Sequence, residues 1–147
     1  MLIAIIEKDI MKRLAEATIG LVALALGGLI YVRYRSESLL MFDWFQNLGL
    51  RDLVKSIRMN ATNSELFGWV KFNMPAGLWL LAYMFMIDSV WGKEKNYVYL
   101  YFLYILPFLA ITSELMQISG LLPGTFDVMD LFCYVFAILL FVIIKKL

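Results

Sequence analysis

The chain has 147 residues, of which 63% are hydrophobic and 17% are charged, and its formal net charge is +1. A mean hydropathy of +0.80 excludes a water-soluble domain of this length, and the scattered basic residues exclude a nucleic-acid-binding surface. One cysteine, Cys133, and no histidine exclude an intrachain disulfide, a thiolate cluster and the usual zinc site. We therefore expect a membrane protein that uses no cofactor or metal ion.

The N-terminal segment places apolar and charged residues at helical spacing, which predicts an amphipathic helix at the membrane surface. This helix should run directly into a first span over residues 17–34, since about 20 apolar residues cross a bilayer. The span carries a stripe of small residues, and such stripes let helix backbones approach closely in lipid. We expect packing against another helix of the chain, with a second protomer as the alternative. The stripe consists of Gly20, Ala23, Gly27 and Gly28.

Residues 37–59 interleave apolar and charged side chains and contain no stretch that could span a membrane. This pattern predicts an interfacial segment, either amphipathic or re-entrant, that lies along one membrane face as a partial lid. The polar residues that follow, at positions 60–65, predict a turn.

Three further spans are predicted over residues 73–91, 97–118 and 126–144. Pro75 suits the first turn of the second span, because a proline there removes no helix hydrogen bond. The sequence thus predicts an all-α membrane protein with four transmembrane helices plus N-terminal and inter-span amphipathic interfacial helices. We interpret residues 1–147 as a single polytopic membrane domain. The positions of lysine and arginine favour cytoplasmic N- and C-termini.

Polar residues collect at three span ends that the alternation of spans places on one side of the membrane. A carboxylate inside a span costs about 2.5–3.5 kcal/mol on insertion scales, so such residues usually face a protein interior or a cavity. We therefore predict a polar ligand-binding pocket, without assigning a catalytic or metal-binding residue. Its predicted members are Lys71, Asn73, Glu114, Gln117, Asp127 and Asp130.

Structural roles are also open to some of these residues. Asp127 fits the N-cap of a helix, and Asp130 fits an interhelical salt bridge with Lys71. Glu114 lies inside a span among apolar neighbours, which favours a functional role. Asp88 lies at the other end of the second span near Lys93, so we interpret it as an interfacial partner and exclude it from the pocket.

Three short motifs stand at the polar span ends: Pro75-Ala-Gly77, Glu114-Leu-Met-Gln117 and Phe126-Asp127-Val-Met-Asp130. Together they resemble the VanZ-like family of small bacterial integral membrane proteins, over roughly the C-terminal half of the chain. The family is named after a protein linked to glycopeptide (teicoplanin) resistance, so the resemblance implies a role in the bacterial cell envelope and the inner membrane. The chain resembles a divergent member, because it has Gly124, Tyr134 and Ala137 where members often have arginine, asparagine and glycine.

Three functions are compatible with these features. The first is a non-enzymatic envelope protein whose acidic pocket binds a membrane lipid, a glycan precursor or a glycopeptide antibiotic. The second is a structural or assembly subunit that docks a partner membrane protein or a second copy of itself. The third is a membrane-embedded hydrolase or transferase, with Glu114 or Asp127 as general base or with carboxylates that bind Mg²⁺. We favour the first, because no serine elbow or phosphate-binding glycine loop supports catalysis.

Overall fold

A computed structural model describes residues 2–59 and 68–146, and the regular elements within these ranges are all helices. In chain order they are α1 (Leu2–Tyr34), α2 (Leu40–Asn47), α3 (Arg51–Met59), α4 (Gly68–Phe72), α5 (Met74–Trp91), α6 (Tyr97–Ile118) and α7 (Val128–Lys146). Four of them, α1, α5, α6 and α7, are long and apolar enough to cross a membrane. This confirms the predicted all-α membrane fold. The turn predicted over residues 60–65 lies outside the described residues.

The predicted surface helix and the first span form one continuous helix, α1. Its 33 residues extend for about 50 Å at the helical rise, whereas the hydrocarbon core of a bilayer is about 30 Å thick. Arg13 marks the level at which α5 ends, because its guanidinium donates to the carbonyl oxygens of Ser89 and Val90, each at 2.8 Å. The part of α1 before Arg13 therefore extends past the end of α5.

Helix α5 lies at the centre of the bundle and packs against α1, α6 and α7. The buried core surrounds it and consists of Leu80, Leu81, Met84, Phe85, Tyr99, Leu103, Ala137 and Phe141. The outer faces of α6 and α7 keep many large apolar side chains exposed. Such faces suit contact with lipid, since lipid tails are as apolar as these side chains.

The predicted interfacial segment of residues 37–59 contains two helices rather than one, and they meet at Gly49. Its φ of 73° lies in the left-handed region that favours glycine, so the chain turns there between α2 and α3. Arg58 of α3 donates to the carbonyl oxygens of Val32 at 2.7 Å and Arg35 at 2.9 Å, and it pairs with Glu37 at 3.0 Å. The α3 helix is thereby held against the C-terminal end of α1, whose last carbonyls lack helical partners.

The small-residue stripe of α1 packs within the chain, as the sequence predicted. A Cβ atom on Gly20 would lie 3.1 Å from the carbonyl oxygen of Ala82, and one on Gly27 would lie 2.6 Å from Nε1 of Trp79. Both neighbours belong to α5, so these glycines allow α1 and α5 to approach closely. Gly28 differs, because a Cβ atom there would meet nothing within 4 Å.

A matched pair of alanine substitutions tests the close packing of α5 and α7. A Cβ atom on Gly77 would lie 2.9 Å from the carbonyl oxygen of Cys133, so Gly77→Ala should force the helices apart and destabilise the protein by about 1–3 kcal/mol. Gly28→Ala meets open space and should gain up to about 1 kcal/mol from helix propensity. Unfolding in mixed detergent micelles measures both free energies. Equal effects of the two variants would contradict the close contact at Gly77.

Candidate functional site

Asn73 joins two acidic side chains at one end of the bundle. Asn73 immediately precedes α5 and is only 4% exposed. The side-chain amide donates to Oδ2 of Asp127 at 2.7 Å and to Oδ1 of Asp130 at 3.0 Å. The two hydrogens of one amide nitrogen thus bring together two carboxylates that carry like charge.

Asp127 connects α7 to α6. Its Oδ1 accepts from the backbone N–H of Met129 at 2.8 Å, which satisfies an amide of the first turn of α7 that has no helical partner. The predicted N-cap is therefore confirmed. The backbone N–H of Asp127 also donates to Oε2 of Glu114, at a long 3.4 Å. Asp127 thus combines its capping role with contacts to both Asn73 and Glu114.

Among the described residues, Glu114 is the least exposed carboxylate at this end of the bundle. It lies in α6 and is 7% exposed, and within the described residues its carboxylate accepts no hydrogen bond other than the long one from Asp127. We call Asn73, Glu114, Asp127 and Asp130 the acidic recess. Three helix ends contribute to it, because α5 and α7 begin where α6 ends. The recess therefore offers carboxylate oxygens with unused capacity to accept hydrogen bonds.

Two predicted pocket residues lie apart from these hydrogen bonds. The ammonium group of Lys71 lies over the ring of Tyr34, 5.3 Å from its centroid, and the predicted salt bridge between Lys71 and Asp130 is not formed. The amide of Gln117 packs against Gly124, where a Cβ atom would lie 2.9 Å from Cδ of Gln117. Lys71 turns towards α1 because an aromatic ring there attracts a cation.

The carboxylates of the acidic recess have no ion pair with any lysine or arginine among the described residues. Arg35 attracts Asp130 electrostatically but forms no ion pair with it. Its guanidinium instead donates to the carbonyl oxygen of Phe72 at 2.9 Å and lies over two aromatic rings. The recess therefore keeps several acidic groups close together with little neutralisation from the protein.

The opposite end of the bundle contains a second group of charged residues, most of them buried, which the sequence analysis missed. Asp88 is 0% exposed, accepts from the hydroxyl of Tyr99 at 2.6 Å and pairs with Lys95 at 2.9 Å. Lys145 of α7 forms ion pairs with both Asp88 and the buried Glu16 of α1. We call these five residues the ionic cluster. Its two acidic and two basic groups balance, in contrast to the acidic recess.

The ionic cluster gives Asp88 a pairing role away from the acidic recess, but with partners other than its sequence neighbour Lys93. Lys93, which lies near Asp88 in the sequence, pairs with Asp9 at 3.3 Å instead. The partners of Asp88 come from α7, from the turn before α6 and, through the hydroxyl of Tyr99, from α6 itself. A usable signal was present in the sequence, because two acidic residues and one basic residue, Glu16, Asp88 and Lys145, stand at the ends of three predicted spans that alternation places on the same side of the membrane.

The acidic recess and the ionic cluster lie near opposite membrane surfaces. Asn73 lies just before α5 and Asp88 lies near its C-terminal end. At a rise of 1.5 Å per residue they are about 22 Å apart along the helix. A hydrocarbon core about 30 Å thick would place each group a few ångströms inside its boundary. Both groups would therefore lie close to the level of the head groups, each at one end of the bundle.

Within residues 2–59 and 68–146, no group of three or more His, Cys, Asp or Glu side chains is arranged to hold a metal ion. Comparison with known proteins gives no match to any protein-family model, curated protein or solved structure. The resemblance to the VanZ-like family stays a prediction. The class that the fold defines is a multi-pass α-helical membrane protein.

Proposed function

We propose that this chain is a non-enzymatic protein of the bacterial cell envelope whose acidic recess binds the cationic group of a lipid, a glycan precursor or a glycopeptide antibiotic. The observation that carries the proposal is the convergence of Glu114, Asp127 and Asp130 without an ion pair among the described residues. The distribution of basic residues favours cytoplasmic termini, and the recess would then face the periplasm.

Electrostatics gives the physical basis for selecting a cation. Two opposite unit charges 4 Å apart attract by about 1 kcal/mol in water and by about 4 kcal/mol at an effective dielectric constant of about 20. Glu114 is almost fully buried and makes one long hydrogen bond, so an ammonium group could donate to its free carboxylate oxygen. A bound cation would also relieve the repulsion between Asp127 and Asp130, which Asn73 bridges.

Three amphiphiles with the same ten-carbon chain test the preference for a cation: decylammonium, decyl maltoside and decyl sulfate. Calorimetric titration of the protein in nanodiscs, with empty nanodiscs subtracted, should show decylammonium binding at least about tenfold more tightly than decyl sulfate. The double variant Glu114→Gln/Asp130→Asn should remove this preference, since both changes keep side-chain size and delete charge. Glu94→Gln is the control, because Glu94 is exposed and lies at the opposite end of the bundle.

Loss of the preference in the double variant, with wild-type behaviour of the Glu94→Gln control, would support the recess as the cation site. Equal affinity for the three head groups in the wild-type protein would contradict it. An undiminished preference in the double variant would also contradict it, because the selectivity would then arise elsewhere on the protein or in the lipid.

A further inference from the structure

An apolar cleft of about 220 Å³ lies between α5 and α7, and its lining includes Met74, the residue that follows Asn73 of the acidic recess. Almost all of its lining atoms are apolar, and they include side chains of Leu81, Cys133 and Leu140. An enclosed apolar cavity of about 150 Å³ stays dry and holds benzene. This cleft is larger and partly open, so part of a hydrocarbon chain could enter it from the side. The lining offers no polar partners for a sugar or a peptide.

The cleft continues the faces of the two helices that carry the recess. On α5, Gly77 and Leu81 follow Asn73 at intervals of four residues, so all three share one face. On α7, residues at intervals of three or four from Asp130 line the cleft in the same way, namely Cys133, Ala137 and Leu140. Each helix face is therefore polar at the recess and apolar deeper in the bundle.

The dimensions of the cleft match one leaflet of a bilayer. Asn73 and Leu81 are about 12 Å apart along α5, and Asp130 and Leu140 about 15 Å apart along α7, at the helical rise. Half of a hydrocarbon core is about 15 Å thick. An acyl chain that enters beside the recess would thus come close to the bilayer midplane at the level of Leu140.

We propose that the ligand of the acidic recess is a membrane lipid with an amine in its head group, and that one of its acyl chains lies in the cleft between α5 and α7. This inference rests on the proposed function of the recess and names its ligand class. The ammonium group pairs with Asp130 and Glu114, and the acyl chain packs along Leu81 and Leu140. Lys71 and Arg35, at the same end of the bundle, supply positive charge for a head-group phosphate.

The test uses the full chain, freed of co-purified lipid in mild detergent and titrated with phosphatidylethanolamine or phosphatidylglycerol of identical acyl chains. Native mass spectrometry measures the bound fraction. We expect wild-type protein to bind phosphatidylethanolamine about tenfold more tightly. Leu140→Trp, which fills the deep end of the cleft, should weaken binding of phosphatidylethanolamine by about tenfold or more. Leu139→Trp is the matched control, since Leu139 is 54% exposed and does not line the cleft.

The test also includes a second filling variant and a ligand that lacks acyl chains. Leu140→Phe is a smaller filling variant for use if the tryptophan variant does not fold, and unfolding midpoints check both. Ethanolamine phosphate, which has the head group without acyl chains, should bind at least about tenfold more weakly than phosphatidylethanolamine if the cleft contributes.

The outcomes separate this inference from the function on which it rests. If Glu114→Gln/Asp130→Asn removes the preference for the amine but neither filling variant weakens lipid binding, the recess stands and the cleft proposal is overturned. If the filling variants weaken both lipids equally and the double variant changes nothing, a chain-binding cleft exists but the amine-binding recess is overturned. Equal effects of Leu139→Trp and Leu140→Trp would show only non-specific annular lipid and would overturn the cleft proposal.

Discussion

Lys145→Met is expected to destabilise the protein by about 3–5 kcal/mol, the cost of removing one partner from a buried ion pair. Lys145 pairs with both Glu16 and Asp88, which lie on different helices and are themselves buried. Methionine keeps the apolar volume but leaves two carboxylates without this cation. Asp88 retains Lys95 and Tyr99, whereas Glu16 retains no ion pair within the described residues.

Reversible unfolding in mixed detergent micelles measures this free energy. Lys146→Met is the matched control, because Lys146 is exposed, adjacent in sequence and of the same charge. A fourfold variant, Glu16→Leu/Asp88→Leu/Tyr99→Phe/Lys145→Met, replaces the buried members of the cluster and keeps the exposed Lys95. It should recover most of the stability, since replacing buried ion pairs with apolar residues is often neutral or stabilising. Equal stability of Lys145→Met and Lys146→Met would show that the ionic cluster does not hold the helices together.

Phe85→Ala is expected to have the second largest effect, about 2–3 kcal/mol. Phe85 is fully buried in α5, and its ring lies 5.1 Å from that of Phe141 in an edge-to-face arrangement. Such truncations cost about 3–5 kcal/mol in water-soluble cores, through lost transfer from water and a residual cavity. In a bilayer the helices are already out of water, so the cavity and the lost dispersion contacts are the main terms.

The control for Phe85→Ala is Phe108→Ala on α6, whose side chain is 64% exposed and suited to contact with lipid. Lipid chains can fill the space that the control leaves, so its unfolding free energy should change by less than about 0.5 kcal/mol. The same micelle titration measures both variants. A similar loss for Phe108→Ala would mean that its face packs against protein instead of lipid.

Both ends of the bundle contain acidic groups, but these are neutralised by lysines at one end only. At the ionic cluster, two lysines neutralise Asp88 and Glu16, which suits a role in joining α1, α5 and α7. At the acidic recess, a neutral amide bridges the carboxylates and no cation pairs with them among the described residues. Unpaired negative charge is costly inside a membrane. A cationic ligand would therefore be stabilised at the recess rather than at the ionic cluster.

Much of the recess could be predicted from the sequence, because span alternation alone decides which helix ends share a membrane side. The rule places four polar residues on one side, and the structure brings them into contact: Asn73, Glu114, Asp127 and Asp130. The rule sets the side but not the direction of a long side chain. Lys71 therefore lies on the expected side yet contacts Tyr34 instead of the carboxylates.

The sequence by itself determined that this is a membrane protein, how many long apolar helices it has and where most of them end. Hydropathy and helical length are local properties, so they can be read without the tertiary structure. Only the tertiary structure decided which buried charges neutralise one another. Glu16 and Lys145 are 129 positions apart, and their contact depends on how α1 and α7 are rotated about α5. Helix rotation is set by side-chain packing such as that at Gly27 and Gly77, where close contact leaves no room for a Cβ atom.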